Sequence, residues 1–266
     1  MESRYSLFPQ RNDYMDILIT DRRRFSCGKE LKMKIYSEDD IKKFERDECG
    51  RLICPSGDYT QIKSFSECCS FGEYCNFGEY CSFNVVCHFG EHCIFGKYCS
   101  FDELCHFGER CFFGEKCFFS ERCHFGKYCS FGKLCRFDEQ CCFDELCYFD
   151  EQCYFGEYCS FGDLCHFGKQ CRFDEKCNFG ECCNLENNLY FENLSEQVDR
   201  VIKIDRIGSR QGCTYFFKTL SQIYVRCGCF FGTIERFEAQ VNETHKDNEK
   251  YRKEYLEAIK YIKAVI

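Results

Sequence analysis

From residue 65 to residue 184 the chain repeats one six-residue unit, F-G-E-x-C-x, twenty times with no insertion or deletion. Repeats of this kind dictate the fold before any single residue does. Within each unit Cys and the next Phe lie two residues apart, so in an extended strand both point to one side and the residue between them to the other. The inside is therefore Phe and Cys. The position after Phe is Gly twelve times, Asp five times, Ser twice and Asn once. Those residues tolerate a tight corner, left-handed backbone angles included. Each hexad reads as one short strand plus one corner.

The exceptions to the repeat show how many hexads close a coil. The non-Gly corners are Ser66, Asn84, Asp102, Ser120, Asp138, Asp144, Asp150 and Asp174. All but Asp144 and Asp150 share one phase of an 18-residue period, whereas periods of 12 or 24 scatter them. A second column agrees, because the position after the corner reads Glu79, Lys97, Glu115, Lys133, Glu151, Lys169 in steps of 18. Coils stacked ~4.8 Å apart let these opposite charges pair, each pair worth a fraction of a kcal/mol when exposed. The expected fold is a triangular prism with three hexads per coil, nearly seven coils and roughly 30 Å long.

The unit resembles the hexapeptide of left-handed parallel β-helix proteins, in which an aliphatic residue is followed by Gly or an acid and, four places on, by a small residue. Phe replaces the aliphatic residue here and Cys is the small one. The likeness covers residues 65–185, and left-handedness is implied by it alone. Phe in every interior slot departs from the family, and the Cys is expected to make room for it.

The flanks read as caps, which solenoids need because terminal coils expose strand edges and apolar surface. Residues 1–51 form an N-terminal segment and cap, in which Ser37 can cap a helix over 39–46 with Ile41 and Phe44 inward. Residues 1–32 stay unassigned. An irregular first coil starts near Leu52, where GDYTQI at 57–62 echoes the repeat before slipping by three residues, and the β-helix extends over 52–190. Residues 191–266 form a small α+β domain. Two strands surround the Gly208–Gly212 turn, a third lies in QIYVRCG, Thr233 caps a helix carrying Phe237 and Val241, and a second helix runs from Glu249 to Ile266. The string IGSRQGCTYFFKT…IYVRCGCFFGTIERFEAQVNETH resembles the C-terminal module of uncharacterised proteins from phages, prophages and gut bacteria. That resemblance implies a phage context and no activity.

Composition narrows the function classes. The 29 Cys of this chain come at regular spacing with no apolar leader, unlike a secreted disulfide scaffold. The expected compartment is a reducing bacterial cytoplasm, with thiols acting as small buried hydrophobes. No window supplies the ~18 apolar residues of a membrane span. The net charge of -8 belongs to the repeat, since residues 65–185 hold 20 acids against 10 Lys and Arg. An acidic rod is a poor direct ligand for nucleic acid, which requires a basic surface. No P-loop, dinucleotide fingerprint or Ser/His/Asp signature is present, and no cofactor is expected.

Candidate sites lie in the variable letters. Outward between Cys and Phe, steps of 18 give Ser70, His88, His106, His124, Cys142, Ser160, Asn178. His88, His106 and His124 are a weak metal candidate, because a flat ladder holds imidazoles parallel at ~4.8 Å instead of converging at bond distances near ~2 Å. The neighbouring columns place Phe112, Phe118, Tyr148 and Tyr154 outside the prism beside Arg136 and Arg172, the composition of a protein-binding patch with cation–π contacts to offer. One edge aligns Asp102, Glu103, Glu121, Asp138, Glu139, Glu157, Asp174 and Glu175. Such a row of carboxylates can imitate a nucleic-acid backbone toward a basic protein groove. The leading expectation is a non-catalytic binding protein, a phage or prophage accessory factor that inhibits a host defence protein. The alternatives are a hexapeptide acyltransferase at a trimer cleft, which the family likeness implies, and a purely structural rod; homo-oligomer contacts are compatible with either.

Overall fold

The computed structural model describes residues 33–265, apart from residues 175–176, 181–182, 186–189, 192–193, 195, 197, 210–211 and 229. The chain divides into two units, Met1–Lys34 and Ile35–Ile266, and the elements below belong to the second. Residues 1–32 lie outside the described residues.

Each hexad forms a two-residue strand, and every strand pairs in parallel with the one 18 residues away, as in Phe112↔Ser130 and His106↔His124. Three hexads thus complete a coil, and the coils build three parallel sheets around one axis. The histidine face runs from Leu52–Cys54 to Asn178–Phe179, the aromatic face from Asn76–Phe77 to Asn184–Leu185, and the arginine face from Ser64–Phe65 to Tyr190–Phe191.

The interior consists of three phenylalanine columns. Rings within a column stack nearly parallel, 4.8 Å apart for Phe95 and Phe113, while rings in neighbouring columns meet edge to face, 5.0 Å for Phe107 and Phe113. This arrangement suits the aromatic quadrupole, and each buried ring contributes about 2–3 kcal/mol from burial. The cysteines fill the space beside the rings, and from Cys87 to Cys183 each inward thiol donates to the corner carbonyl of the coil below. Cys111 Sγ reaches the Gly90 carbonyl at 3.4 Å, and Cys129 reaches that of Gly108 at 3.4 Å. A thiol is small enough for the slot and satisfies a carbonyl that the parallel ladder leaves over. The repeat cysteines among the described residues, from Cys69 to Cys183, are free thiols.

The corner departs from the sequence expectation in an instructive way. The left-handed residue is not the one after Phe but the one before Cys: every sixth residue from Cys68 to Gln170 has positive φ, with Tyr74 at 57° and Leu104 at 60°. Its N–H donates to the coil above, as Tyr80 N does to the Lys97 carbonyl at 2.9 Å. Glycine after Phe answers a different need, close approach. A Cβ on Gly108 would lie 2.8 Å from both Glu91 N and Gly90 C. The left-handed residue costs roughly 1–2 kcal/mol, less than the burial of the ring that its corner makes possible.

Both ends are closed. Leu52–Cys54 pairs in register with Cys69–Phe71, so the first coil starts where expected. The three-residue slip at 57–62 has a cause: Tyr59 takes the ring slot below Phe77, 5.5 Å away and stacked, and Tyr36 stacks on Tyr59 at 4.9 Å. The capping helix is shorter than 39–46. It spans Glu38–Ile41 behind a Ser37–Asp40 capping box, because Phe44 turns in against Tyr36 at 5.2 Å and Arg46 pairs with Leu52 as a β-bridge.

At the other end four antiparallel strands, Arg200–Ile207, Gly212–Lys218, Ile223–Cys227 and Phe230–Thr233, form one sheet in chain order. The sequence reading had three strands; the fourth, Phe230–Thr233, is too short to announce itself ahead of the Thr233 cap, whose Oγ1 accepts from Arg236 N at 3.4 Å. Phe216 and Val225 pack under the helices Ile234–Thr244 and Glu249–Val265, joined by Phe237, Val241, Ile259 and Ile262. Tyr215 and Phe217, with Tyr224 and Phe231, belong instead to the solenoid core. The sheet is therefore the lid on the last coil. Tyr215 donates to the Cys183 carbonyl at 2.6 Å, and Arg226 lies 4.7 Å over the Phe179 ring while donating to the Cys177 carbonyl at 3.4 Å.

Candidate protein-binding surface

A rigid core fixes each outward side chain to a face or an edge, so the surface is a set of straight columns. The edge from the arginine face to the histidine face carries the predicted row: Asp102, Glu103 and Glu139 are exposed, and Glu121, Asp138, Glu157 and Asp174 are half-buried. Glu175 lies outside the described residues. The row is not uniformly available. Arg136 Nε lies 3.3 Å from Asp138 Oδ1, the Tyr154 hydroxyl donates to Asp174, and Arg122 breaks the line while donating to Gln140 Oε1 at 3.1 Å. The acidic edge and the arginine face, read separately from sequence, are thus one connected surface.

A second acidic edge was missed. The edge from the histidine face to the aromatic face carries Glu73, Glu91, Glu109, Lys127, Glu145 and Asp163, with Asp144 beside them. Its signal was present in the sequence, since these residues after the corner also recur in steps of 18. Lys127 pairs with Glu145 at 3.1 Å, and a shallow depression of 280 Å³ lies among Lys127, Asp144, Glu145, Gly162 and Asp163. The third edge is the alternating one. It behaves as its charges suggested, with Lys97–Glu115 at 3.0 Å and Lys133–Glu151 at 2.7 Å.

The histidine column is stacked. His88 and His106 are 4.9 Å apart and nearly parallel, His106 and His124 are 5.9 Å apart and tilted by 29°, and His124 Nε2 lies 3.8 Å from Asp144 Oδ1. Burial, followed by the neighbouring imidazole, holds His88 and His106 below the ordinary histidine pKa. Among the described residues no group of three or more His, Cys, Asp or Glu side chains is placed to hold a metal ion.

The aromatic candidates divide between two faces. Phe112 and Tyr148 stand on the aromatic face, where Tyr148 stacks on His166 at 4.7 Å. Phe118, Arg136, Tyr154 and Arg172 follow one another on the arginine face, and the Arg136 guanidinium lies 4.9 Å over the Tyr154 ring. They do not converge into one patch. No helix among the described residues is long and apolar enough to cross a membrane.

Compared with known proteins, the chain matches no family model, no curated protein and no solved structure.

Proposed function

We propose that this chain is a non-catalytic binding protein whose solenoid presents carboxylates in straight rows to a basic protein partner. One observation carries the reading. Acidic side chains line two of the three edges in columns set by the 4.8 Å coil repeat, interrupted at Val85 on one and at Lys127 on the other, on a backbone whose described coils are hydrogen-bonded to one another. Rigid, pre-placed charge raises association rates and lowers the ordering cost of binding. Two rows bordering one face are also how the phosphate strands of a duplex border a groove, which makes a nucleic-acid-binding protein a fitting partner.

That the partner is a host defence protein, and the chain a phage or prophage factor acting in a bacterial cytoplasm, is supported by the likeness of the C-terminal string alone. Assignment to the left-handed hexapeptide class is likewise supported by the F-G-E-x-C-x likeness. The test uses affinity capture from a bacterial lysate with the wild type and two charge-reversed proteins. Glu103→Lys, Glu121→Lys, Glu139→Lys and Glu157→Lys together are expected to abolish capture of the specific partner, whereas Glu79→Lys and Glu151→Lys on the alternating edge leave it intact. Equal capture by all three proteins sinks the acidic-edge reading.

A further inference from the structure

The coil order brings together two features that the sequence keeps apart. Travelling along the chain, the histidine-face strands lie between the two acidic edges: His106 stands between Asp102–Glu103 and Glu109, His88 is followed by Glu91 but preceded by the uncharged Asn84–Val85, and His124 is preceded by Glu121 but followed by Lys127, with Asp144–Glu145 on that side in the next coil. The imidazole column therefore runs down the middle of a strip whose two borders carry carboxylates, one broken at Asn84–Val85 and the other at Lys127. On its own strand column it is continued by Ser70, Cys142, Ser160 and Asn178. The cations near the strip are held at its margins. Arg110 lies over the Tyr128 ring at 5.4 Å, Lys127 is paired with Glu145, and Arg122 is bonded to Gln140. Arg51 acts on His88 from the first coil.

We propose that the histidine face is the docking surface for a lysine- or arginine-rich segment of the partner, lying along the solenoid axis, and that protonation of His88, His106 and His124 releases it. This rests on the binding reading above and gives it a face and a control. The occupant follows from charge complementarity. A cationic segment on the midline has carboxylates on either side, Asp144 Oδ1 lying 3.8 Å from His124 Nε2, and neutral imidazoles can accept its hydrogen bonds. Protonation reverses both contributions. It places up to three positive charges under the segment, and it draws nearby carboxylates such as Asp144 toward His124. Because burial and the neighbouring imidazole disfavour the charged form of His88 and His106, these two stacked imidazoles stay neutral at physiological pH and change state only in acid.

The experiment follows fluorescence anisotropy of a labelled oligolysine of roughly ten residues, ~33 Å when extended and so about the length of the face. The full chain is used at low salt, at about pH 7.5 and about pH 5.5, both above the ordinary carboxylate range. Wild type is expected to bind roughly fivefold more weakly at the lower pH. The triple variant H88N/H106N/H124N is expected to bind as the wild type does at the higher pH and to lose the pH dependence; asparagine already stands in this column at Asn178. Pairs Glu103→Lys with Glu121→Lys, and Glu91→Lys with Glu109→Lys, should each weaken binding, since both borders face the occupant. A triple variant that keeps the full pH dependence overturns the histidine control, and loss confined to one border overturns docking on this face. Absence of oligolysine binding at both pH values removes the acidic-edge reading as well.

Discussion

A methyl group on Gly108 would meet the backbone of the coil below at 2.8 Å, whereas Leu104, four residues earlier, holds φ +60° with a full side chain in place. The two positions divide what glycine usually does alone, allowing close approach at one and a left-handed turn at the other. Opposite substitutions should separate these roles. Gly108→Ala is expected to lower stability by about 1–3 kcal/mol through overpacking against backbone that cannot move aside. Leu104→Gly relieves a left-handed residue that costs roughly 1–2 kcal/mol and loses about half of that to the freer unfolded chain, so stability should hold or rise slightly. Denaturant unfolding midpoints decide it: a neutral Gly108→Ala with a damaging Leu104→Gly would reverse the assignment. From sequence, glycine at the corner was legible but its reason was not. A preference for Gly looks the same whether φ or contact distance imposes it, and the contact partner lies in another coil.

Among the elements, the caps show how far local pattern reaches. Ser37 and Asp40 marked the helix start, while its end at Ile41 was set by packing, since Phe44 leaves helical register to reach Tyr36. The C-terminal helices were readable from their apolar spacing, because Phe237, Val241, Ile259 and Ile262 all face one core. What that domain is for became clear only from the other side of its sheet. Arg226 both covers the last ring of a phenylalanine column and answers the Cys177 carbonyl left over by the final coil. Arg226→Ala is therefore expected to cost about 1–3 kcal/mol, a buried carbonyl losing its donor together with a cation–π contact. The loss should be local. Hydrogen exchange should accelerate in the last coils around Phe161 and Phe179 and stay unchanged near Phe71; uniform acceleration, or none, would contradict the role of Arg226 as the closing residue.

For the molecule as a whole, the decisive number is 18, the separation of every solenoid ladder pair from Ser64↔Ser82 and Ser70↔His88 onward; only the irregular first coil differs, with Leu52 paired to Cys69. Removing residues 105–122, one whole coil, keeps each downstream residue on its own face and edge. Removing residues 105–110 preserves the Phe/Cys interior equally well but turns every later column onto the next face. Both deletions should yield solenoids by circular dichroism. Only the 18-residue deletion should keep near-native thermal stability and oligolysine binding, since the shorter one scrambles both acidic rows and rotates the last coil under Tyr215 and Arg226. Equal behaviour of the two deletions would show that the faces are interchangeable. The repeat by itself determined the interior, the coil length and the need for caps, because ring burial and the Cys–Phe alternation are satisfied within each hexad and its period. Only the tertiary structure decided which edges border the histidine face, why glycine stands at the corner, and how the last coil is closed. Those outcomes depend on contacts between coils 4.8 Å apart and on a sheet that returns from beyond the repeat, distances that no single hexad contains.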